Sequence, residues 1–191
     1  MNYLFDMDGV VVDSKEAWFR LFNDIADIDR ETFERRYWGR DLEANVKELG
    51  FTRAEFCRSV LPKHLDGMET VPGARDVLSA LRGKKALVTN TTRRCTARIL
   101  AEQGLEPFFD AVVTSDEVEM GKPDPAIIRL AIERIGADPA STVVIGDSEH
   151  DIEAGRAAGC ITIGIGVDAD YTVDDLKDVL RVAERLEGNG R

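Results

Sequence analysis

The chain has 191 residues, 43% of them hydrophobic, enough to bury one full core with a small appendage but hardly two independent domains. A formal charge of -11 leaves no basic face for a sequence-independent grip on nucleic acid or an anionic membrane, and no apolar run approaches the roughly 18 residues needed to span a bilayer. Cys57, Cys95 and Cys160 are widely spaced and odd in number, which predicts neither a disulfide framework nor a thiolate metal site and fits three buried hydrophobes in a reducing compartment.

The first element is the apolar run Tyr3-Leu4-Phe5, a strand that leads directly into Asp6-Met7-Asp8-Gly9 and then Val10-Val11-Val12. In a parallel sheet such a strand is buried on both faces, so its end is a costly place for two carboxylates unless they hold a metal or do chemistry. A motif beginning at residue 6 leaves no room for a cleavable presequence, so the expected location is cytoplasmic.

Residues 15–71 carry helical stripes: Trp18, Leu21, Phe22 and Ile25, then Leu42, Val46 and Leu49, then Phe56 and Val60, with no convincing strand between them. They predict an all-helical insertion that returns to the main fold at the turn-forming Pro72-Gly73. The remainder, residues 1–14 and 72–191, alternates short apolar runs with helical patterns, the signature of an α/β fold with a parallel sheet. A helix through Val77 and Leu81 stops at Gly83 and gives way to the strand Ala86–Thr89. Thr92 then caps a helix that ends at Gly104, and the strand Ala111–Thr114 follows. Asp124 serves as N-cap, with Pro125 at the first position, of a helix to Gly136; the strand Thr142–Gly146 comes next. After a helix around Ile152–Ala158, Cys160–Ile163 is a fifth strand, Thr172–Leu186 a closing amphipathic helix, and Gly188-Asn189-Gly190 a frayed end.

Ligands of open parallel sheets bind outside the carboxyl ends of the strands, so the polar residues there belong together. Asp6 and Asp8 follow the first strand, Thr89 and Asn90 end the second, Lys122 comes after the third, Asp147 ends the fourth, and Asp151 lies one helical turn further on. Several acids, one lysine and a hydroxyl around one crevice match what a phosphate ester and a magnesium ion require. Taken singly, each has a plainer reading as a turn residue, helix cap or solvated charge. A cap explanation for Asp147 does not account for an acid pair on another strand.

Four motifs in order, Asp6-Met7-Asp8-Gly9-Val10, Val88-Thr89-Asn90, Gly121-Lys122-Pro123-Asp124-Pro125 and Gly146-Asp147-Ser148-Glu149-His150-Asp151, make the chain resemble the haloacid dehalogenase superfamily of phosphohydrolases. The helical segment resembles the small cap of the branch that holds phosphoglycolate phosphatases and beta-phosphoglucomutases. The resemblance implies a Rossmann-like three-layer core with a five-stranded sheet, Mg2+ as cofactor and a small-molecule phosphomonoester as partner, with no obligate protein partner evident. It implies Asp6 as nucleophile and Asp8 as the acid and base that serves the leaving alcohol and the attacking water. Asp6, the main-chain carbonyl of Asp8, Asp147 and Asp151 would surround the metal, and Thr89, the Asn90 region and Lys122 the phosphate.

An acid at position 8 points to phosphate esters rather than to the branches that cleave carbon–halogen or carbon–phosphorus bonds. Lys47 lies near where the phosphonoacetaldehyde-cleaving branch carries its imine-forming lysine, but a solvated helix face explains it better. The mutase branch has a cap histidine where this chain has Trp18, which favours hydrolysis over phosphoryl relocation. A receiver-like phospho-acceptor module gathers a similar acid, hydroxyl and lysine set, but the helical insertion and the paired acids on one strand end argue against it. Within the cap, Trp38-Gly39-Arg40 is the expected leaving-group loop. Arg40 is a candidate for a carboxylate or second phosphate, and Arg93 a weaker one. Phosphoglycolate is the first expectation for the substrate and a sugar phosphate the second; His64 and His150 carry no expected role.

Overall fold

A computed structural model of the chain describes residues 1–64 and 67–188. β1 (Asn2–Phe5) passes through a turn into β2 (Val12–Asp13), and a run of helices follows: α1 (Lys15–Ala26), α2 (Arg30–Arg36), α3 (Leu42–Glu48) and α4 (Arg53–Glu55). The last continues into a π turn at Phe56–Val60 and a 3-10 turn at Leu61–Lys63. β3 (Glu69–Thr70) then pairs antiparallel with β2, Val12 opposite Thr70, so that a two-stranded ribbon closes the insertion where the sequence suggested no strand. Beyond it the chain alternates through α5 (Ala74–Ala80), β4 (Lys85–Thr89), α6 (Arg93–Gln103), β5 (Ala111–Thr114), α7 (Ala126–Ile135), β6 (Thr142–Gly146), α8 (Glu149–Ala157), β7 (Ile161–Ile165), β8 (Tyr171–Val173) and α9 (Val179–Gly188).

The main sheet is parallel throughout, in the order β5-β4-β1-β6-β7-β8. It has six strands rather than the expected five. The extra one is β8, three residues long, where Thr172 was expected to open the last helix. The Tyr171, Thr172 and Val173 triplet instead pairs with β7, Val173 opposite Ile165, because β-branched and aromatic side chains suit a sheet edge. Asp175 then accepts from the main-chain N–H of Lys177 and delays the helix to Val179. Asn189 and Gly190, expected to fray, lie outside the described residues. α7 also starts one residue late, at Ala126, although Asp124 still accepts from the Ala126 N–H at 2.8 Å.

β1 sits between β4 and β6, and its side chains feed two cores. Tyr3 and Phe5 pack on one face with Val77, Leu78, Ile99 and Val179; Leu4 packs on the other with Ile127, Ile128 and Ala131. Successive strand residues point to opposite faces, which is why an unbroken apolar run is required at the centre of the sheet. The chain leaves β1 for β4 and β5 on one side and later returns to β6 on the other. A crevice therefore opens at the carboxyl end of β1.

The insertion has an aromatic interior of its own, continuous with the first core: Trp18 stacks on Phe56 at 6.3 Å between ring centroids, and Phe22 lies 5.2 Å from Tyr37 and 5.6 Å from Phe33. A covalent tie corrects the cysteine reading. Cys57, in the π turn of the insertion, is disulfide-bonded to Cys95 in the first turn of α6, while Cys160 is free and buried. Spacing along the chain carried no sign of this pairing, because the two cysteines meet only through the docking of the insertion on the sheet. Among the described residues no helix is long and apolar enough to cross a membrane.

Without reductant, the denatured protein is therefore expected to show one titratable thiol, and three after reduction. Cys57→Ser should lower stability by about 2–4 kcal/mol in oxidising buffer. That difference should vanish when both proteins unfold in the presence of reductant, as denaturant titrations will show.

Candidate active site

Asp6 leaves β1 with its N–H still bonded to the Ile145 carbonyl at 2.9 Å, so the sheet itself fixes where its carboxylate begins. Met7 then turns into the core and its carbonyl accepts from Val11 and Val12, folding the chain back on itself. Gly9 makes that turn possible. It has φ +82°, and a Cβ there would stand 2.1 Å from an Asp147 carboxylate oxygen.

Lys122 crosses from the far side of the crevice and donates to Asp6 at 2.7 Å, Asp151 at 2.6 Å and the Val88 carbonyl at 3.0 Å. All three protons of the ammonium are thereby used. Its side chain is 4% exposed, against 1% for Asp151 and 11% for Asp6. Burial alone would discharge the lysine, but the Asp151 and Asp6 charges outweigh it and hold the pKa above the ordinary lysine value. Asp151 is held from its other oxygen by Ser148, whose hydroxyl donates at 2.5 Å in a reciprocal cap at the start of α8.

One ammonium does not neutralise the acids gathered there. Burial, then the Asp151 charge, raise Asp6 well above the ordinary carboxylate range, with Lys122 opposing. Burial followed by Asp151 pushes Asp147 up to about 7. Carboxylate oxygens of Asp6, Asp147 and Asp151 all lie within 4.8 Å of one another. A set of hard oxygen donors with uncompensated negative charge fits a divalent ion such as Mg2+.

Asp8 stands apart from that cluster. Its Oδ1 accepts from the Ser14 hydroxyl at 2.6 Å and the Trp18 indole N–H at 2.8 Å, and its Oδ2 from the Thr91 hydroxyl at 3.1 Å. None of these three donors was singled out from the sequence as a site residue; the nearest signal was the run of hydroxyls after β4, Thr89 to Thr92. Thr89 accepts from the Thr91 N–H at 3.0 Å, which leaves its own proton free to donate into the crevice.

The Asn90 side chain is committed to main chain. It accepts from the Lys122 N–H at 2.8 Å and donates to the Lys122 carbonyl at 2.9 Å and the Gly39 carbonyl at 3.0 Å. It thus positions the lysine and ties down the Trp38-Gly39-Arg40 loop.

Helices of the insertion roof the crevice, so one cavity is lined both by Asp6, Asp8, Thr89 and Lys122 and by Trp18, Phe22, Phe33, Tyr37 and Trp38. Arg40 also reaches it, but its guanidinium is paired with Glu48 at 3.0 Å. Arg93 is an exposed partner of Glu117, and Lys47 is exposed on α3. His64 pairs with Asp24 at 3.0 Å, and His150 lines a neighbouring cavity with Arg40.

Known proteins resemble this chain in sequence and in fold. Residues 3–165 match the model of the haloacid dehalogenase-like hydrolase family. Pyrophosphatase PpaX of Bacillus pumilus is 41% identical over 182 residues, covering 85% of this chain and 81% of that one. A phosphorylated carbohydrates phosphatase of Thermotoga maritima is 31% identical over 179 residues, covering 82% and 80%. The structure of a putative phosphoglycolate phosphatase from Lactobacillus plantarum superposes with a TM-score of 0.80 at 19% identity, covering 95% of this chain and 98% of that one, a likeness of fold. The chain belongs to the haloacid dehalogenase-like hydrolases and is a phosphatase.

Proposed function

We propose that the protein is a Mg2+-dependent phosphomonoester hydrolase that works through an aspartyl-phosphate on Asp6. The observation that carries this reading is the buried Lys122 ammonium bound to both Asp6 and Asp151, beside Asp147, at the end of the central strand. In this reading residues 15–71 are a cap over a core made of residues 1–14 and 72–191.

An Asp6 oxygen attacks phosphorus as the bond to the leaving oxygen breaks, and Asp8 gives its proton to that oxygen. Asp8, now a carboxylate, takes a proton from the water that cleaves the aspartyl-phosphate, releasing phosphate and restoring Asp6. Mg2+ held by Asp6, Asp147, Asp151 and the main-chain carbonyl of Asp8 would offset the repulsion between an attacking carboxylate and a phosphate dianion. Lys122 keeps Asp6 aimed and places positive charge beside the transferring group, while Thr89 and the main chain around Asn90 offer donors to its oxygens.

Hydrolysis is favoured over a mutase reaction by Trp18. Its indole N–H only donates, so it orients Asp8 but has no second nitrogen through which to pass a proton. Three substrate classes compete: phosphoglycolate from the resemblance, and pyrophosphate and phosphorylated carbohydrates from the names of the relatives. An anionic leaving group needs a cation at its far end. Arg40 is the sole cation besides Lys122 lining the cavity among the described residues, and it is already paired with Glu48.

Purified enzyme should hydrolyse p-nitrophenyl phosphate only with Mg2+. Asp6→Asn should fall to background, and Asp8→Asn should lose on the order of 100-fold or more in kcat. Turnover that survives excess chelator would overturn the metal assignment. Trp18→Phe keeps the ring but removes the donor to Asp8, so kcat should fall about tenfold with KM little changed. A change confined to KM would mean that Trp18 acts only as a wall of the cavity.

A further inference from the structure

The chain crosses between core and insertion twice, and both crossings run side by side in the β2–β3 ribbon, Val12 opposite Thr70. The Cys57–Cys95 bond is a third covalent crossing, made on other elements: the π turn of the insertion and the first turn of α6. The polar tie beside it is weak by comparison. Arg53, one turn before Cys57, reaches Asp116 at 3.1 Å with its side chain 44% exposed, and such a pair is worth about 1 kcal/mol or less. With the disulfide closed, the roof of the crevice is strapped at two places. With it open, the ribbon alone holds the insertion covalently.

The surroundings of the two sulfurs suit a bond that opens. Thr92 stands at the N-cap of α6 yet does not cap it; its hydroxyl lies 3.5 Å from the Cys57 sulfur and, since a disulfide sulfur carries no proton, is the donor there. Asp116 accepts from the Arg93 N–H, but no side chain caps the rest of the first turn, where the helix dipole favours negative charge on a departing Cys95 sulfur. Cys95 is wholly buried whereas Cys57 keeps 4% exposure, so an incoming thiolate meets Cys57 and expels Cys95. Cys160 belongs to the core on the opposite face of the sheet and offers no alternative pairing.

We propose that the Cys57–Cys95 bond is a redox-operated strap on the insertion: closed, it limits how far the roof lifts; open, it lets the insertion swing on the β2–β3 ribbon and admit bulkier leaving groups. This rests on the reading of residues 15–71 as a cap over the phosphatase site and adds its regulation. The co-reactant is a small-molecule thiol–disulfide couple. One thiolate of a dithiol attacks the Cys57 sulfur and Cys95 departs as a thiolate. The second thiol of the reagent then closes a ring disulfide and releases Cys57, so two electrons and two protons pass to the protein. Oxidised glutathione runs the exchange backwards and leaves as two thiols.

The test compares native enzyme incubated with dithiothreitol and with oxidised glutathione, each state defined by its thiol count after denaturation, three and one respectively. kcat/KM is measured for p-nitrophenyl phosphate and for the bulkier 4-methylumbelliferyl phosphate, and hydrogen–deuterium exchange is followed in peptides spanning Phe56–Val60 and the first turn of α6. The reduced enzyme should gain about fivefold or more for the bulky ester relative to the small one, and both peptides should exchange faster. Cys57→Ser should match the reduced enzyme in either buffer. If the ester ratio is the same in both states, or if oxidised glutathione leaves three thiols in the enzyme, the strap is overturned, and the wild type alone decides this where the variant does not fold. Absence of p-nitrophenyl phosphate hydrolysis in both states would instead overturn the phosphatase reading, while the exchange difference would still show whether the bond holds the insertion.

Discussion

The buried ammonium of Lys122 is the interaction around which the rest is arranged. Asp6 is carried by β1, Val88 by β4 and Asp151 by α8, so one side chain joins three elements that approach each other only at the carboxyl edge of the sheet. Taking three charges out of water costs several kcal/mol for each ion, and the arrangement persists because each proton of the ammonium meets an oxygen in good geometry. Removing the lysine would leave two buried carboxylates facing Asp147 with no compensation. The same excess of acid over base that makes the protein depend on Lys122 makes the site a receptor for a divalent cation, so fold stability and metal affinity draw on one cluster.

Lys122 itself is held by a residue that does no chemistry in the proposed reaction. Asn90 grips the main chain of Lys122 by both its N–H and its carbonyl, and the remaining proton of its amide reaches Gly39 in the insertion. Gly121 has to be glycine for this, since a Cβ there would lie 2.4 Å from the Asn90 amide oxygen. The position of the lysine and the closure of the insertion are thus set by the same side chain.

Much of this was legible in the sequence because the governing rules are local. The strands Ala111–Thr114 and Thr142–Gly146 follow from apolar runs bounded by turn residues, and the rule that ligands gather at strand carboxyl ends brings Asp6, Thr89, Lys122, Asp147 and Asp151 to one place. What escaped depends on contacts between distant segments. β8 is too short to show a period, and its Thr172 matches a helix cap as well as a strand. Cys57 and Cys95 are 38 residues apart, a separation that says nothing until the insertion is docked. The resemblance offered the Asn90 region to the phosphate, and nothing in the sequence records that both arms of the Asn90 side chain are occupied by main chain. Trp18 read as packing, which it is, but its one polar atom also points at Asp8.

Several of the ties between insertion and core fall close to the reacting groups. Trp18 reaches Asp8, the Gly39 carbonyl and the Leu42 N–H reach Asn90, and Cys57 is bonded to the first turn of the helix that follows Thr89 to Thr92. The polar ties are single hydrogen bonds worth about 1 kcal/mol each. A ligand that entered by lifting Trp38-Gly39-Arg40 would break the Gly39 and Leu42 bonds while the disulfide kept the far side of the insertion anchored. Opening in this geometry is a hinge about the Cys57 end rather than a separation of two bodies. Trp18 stacks on Phe56 beside Cys57, so it belongs to the anchored end of the insertion and would keep its hold on Asp8 while the loop lifts.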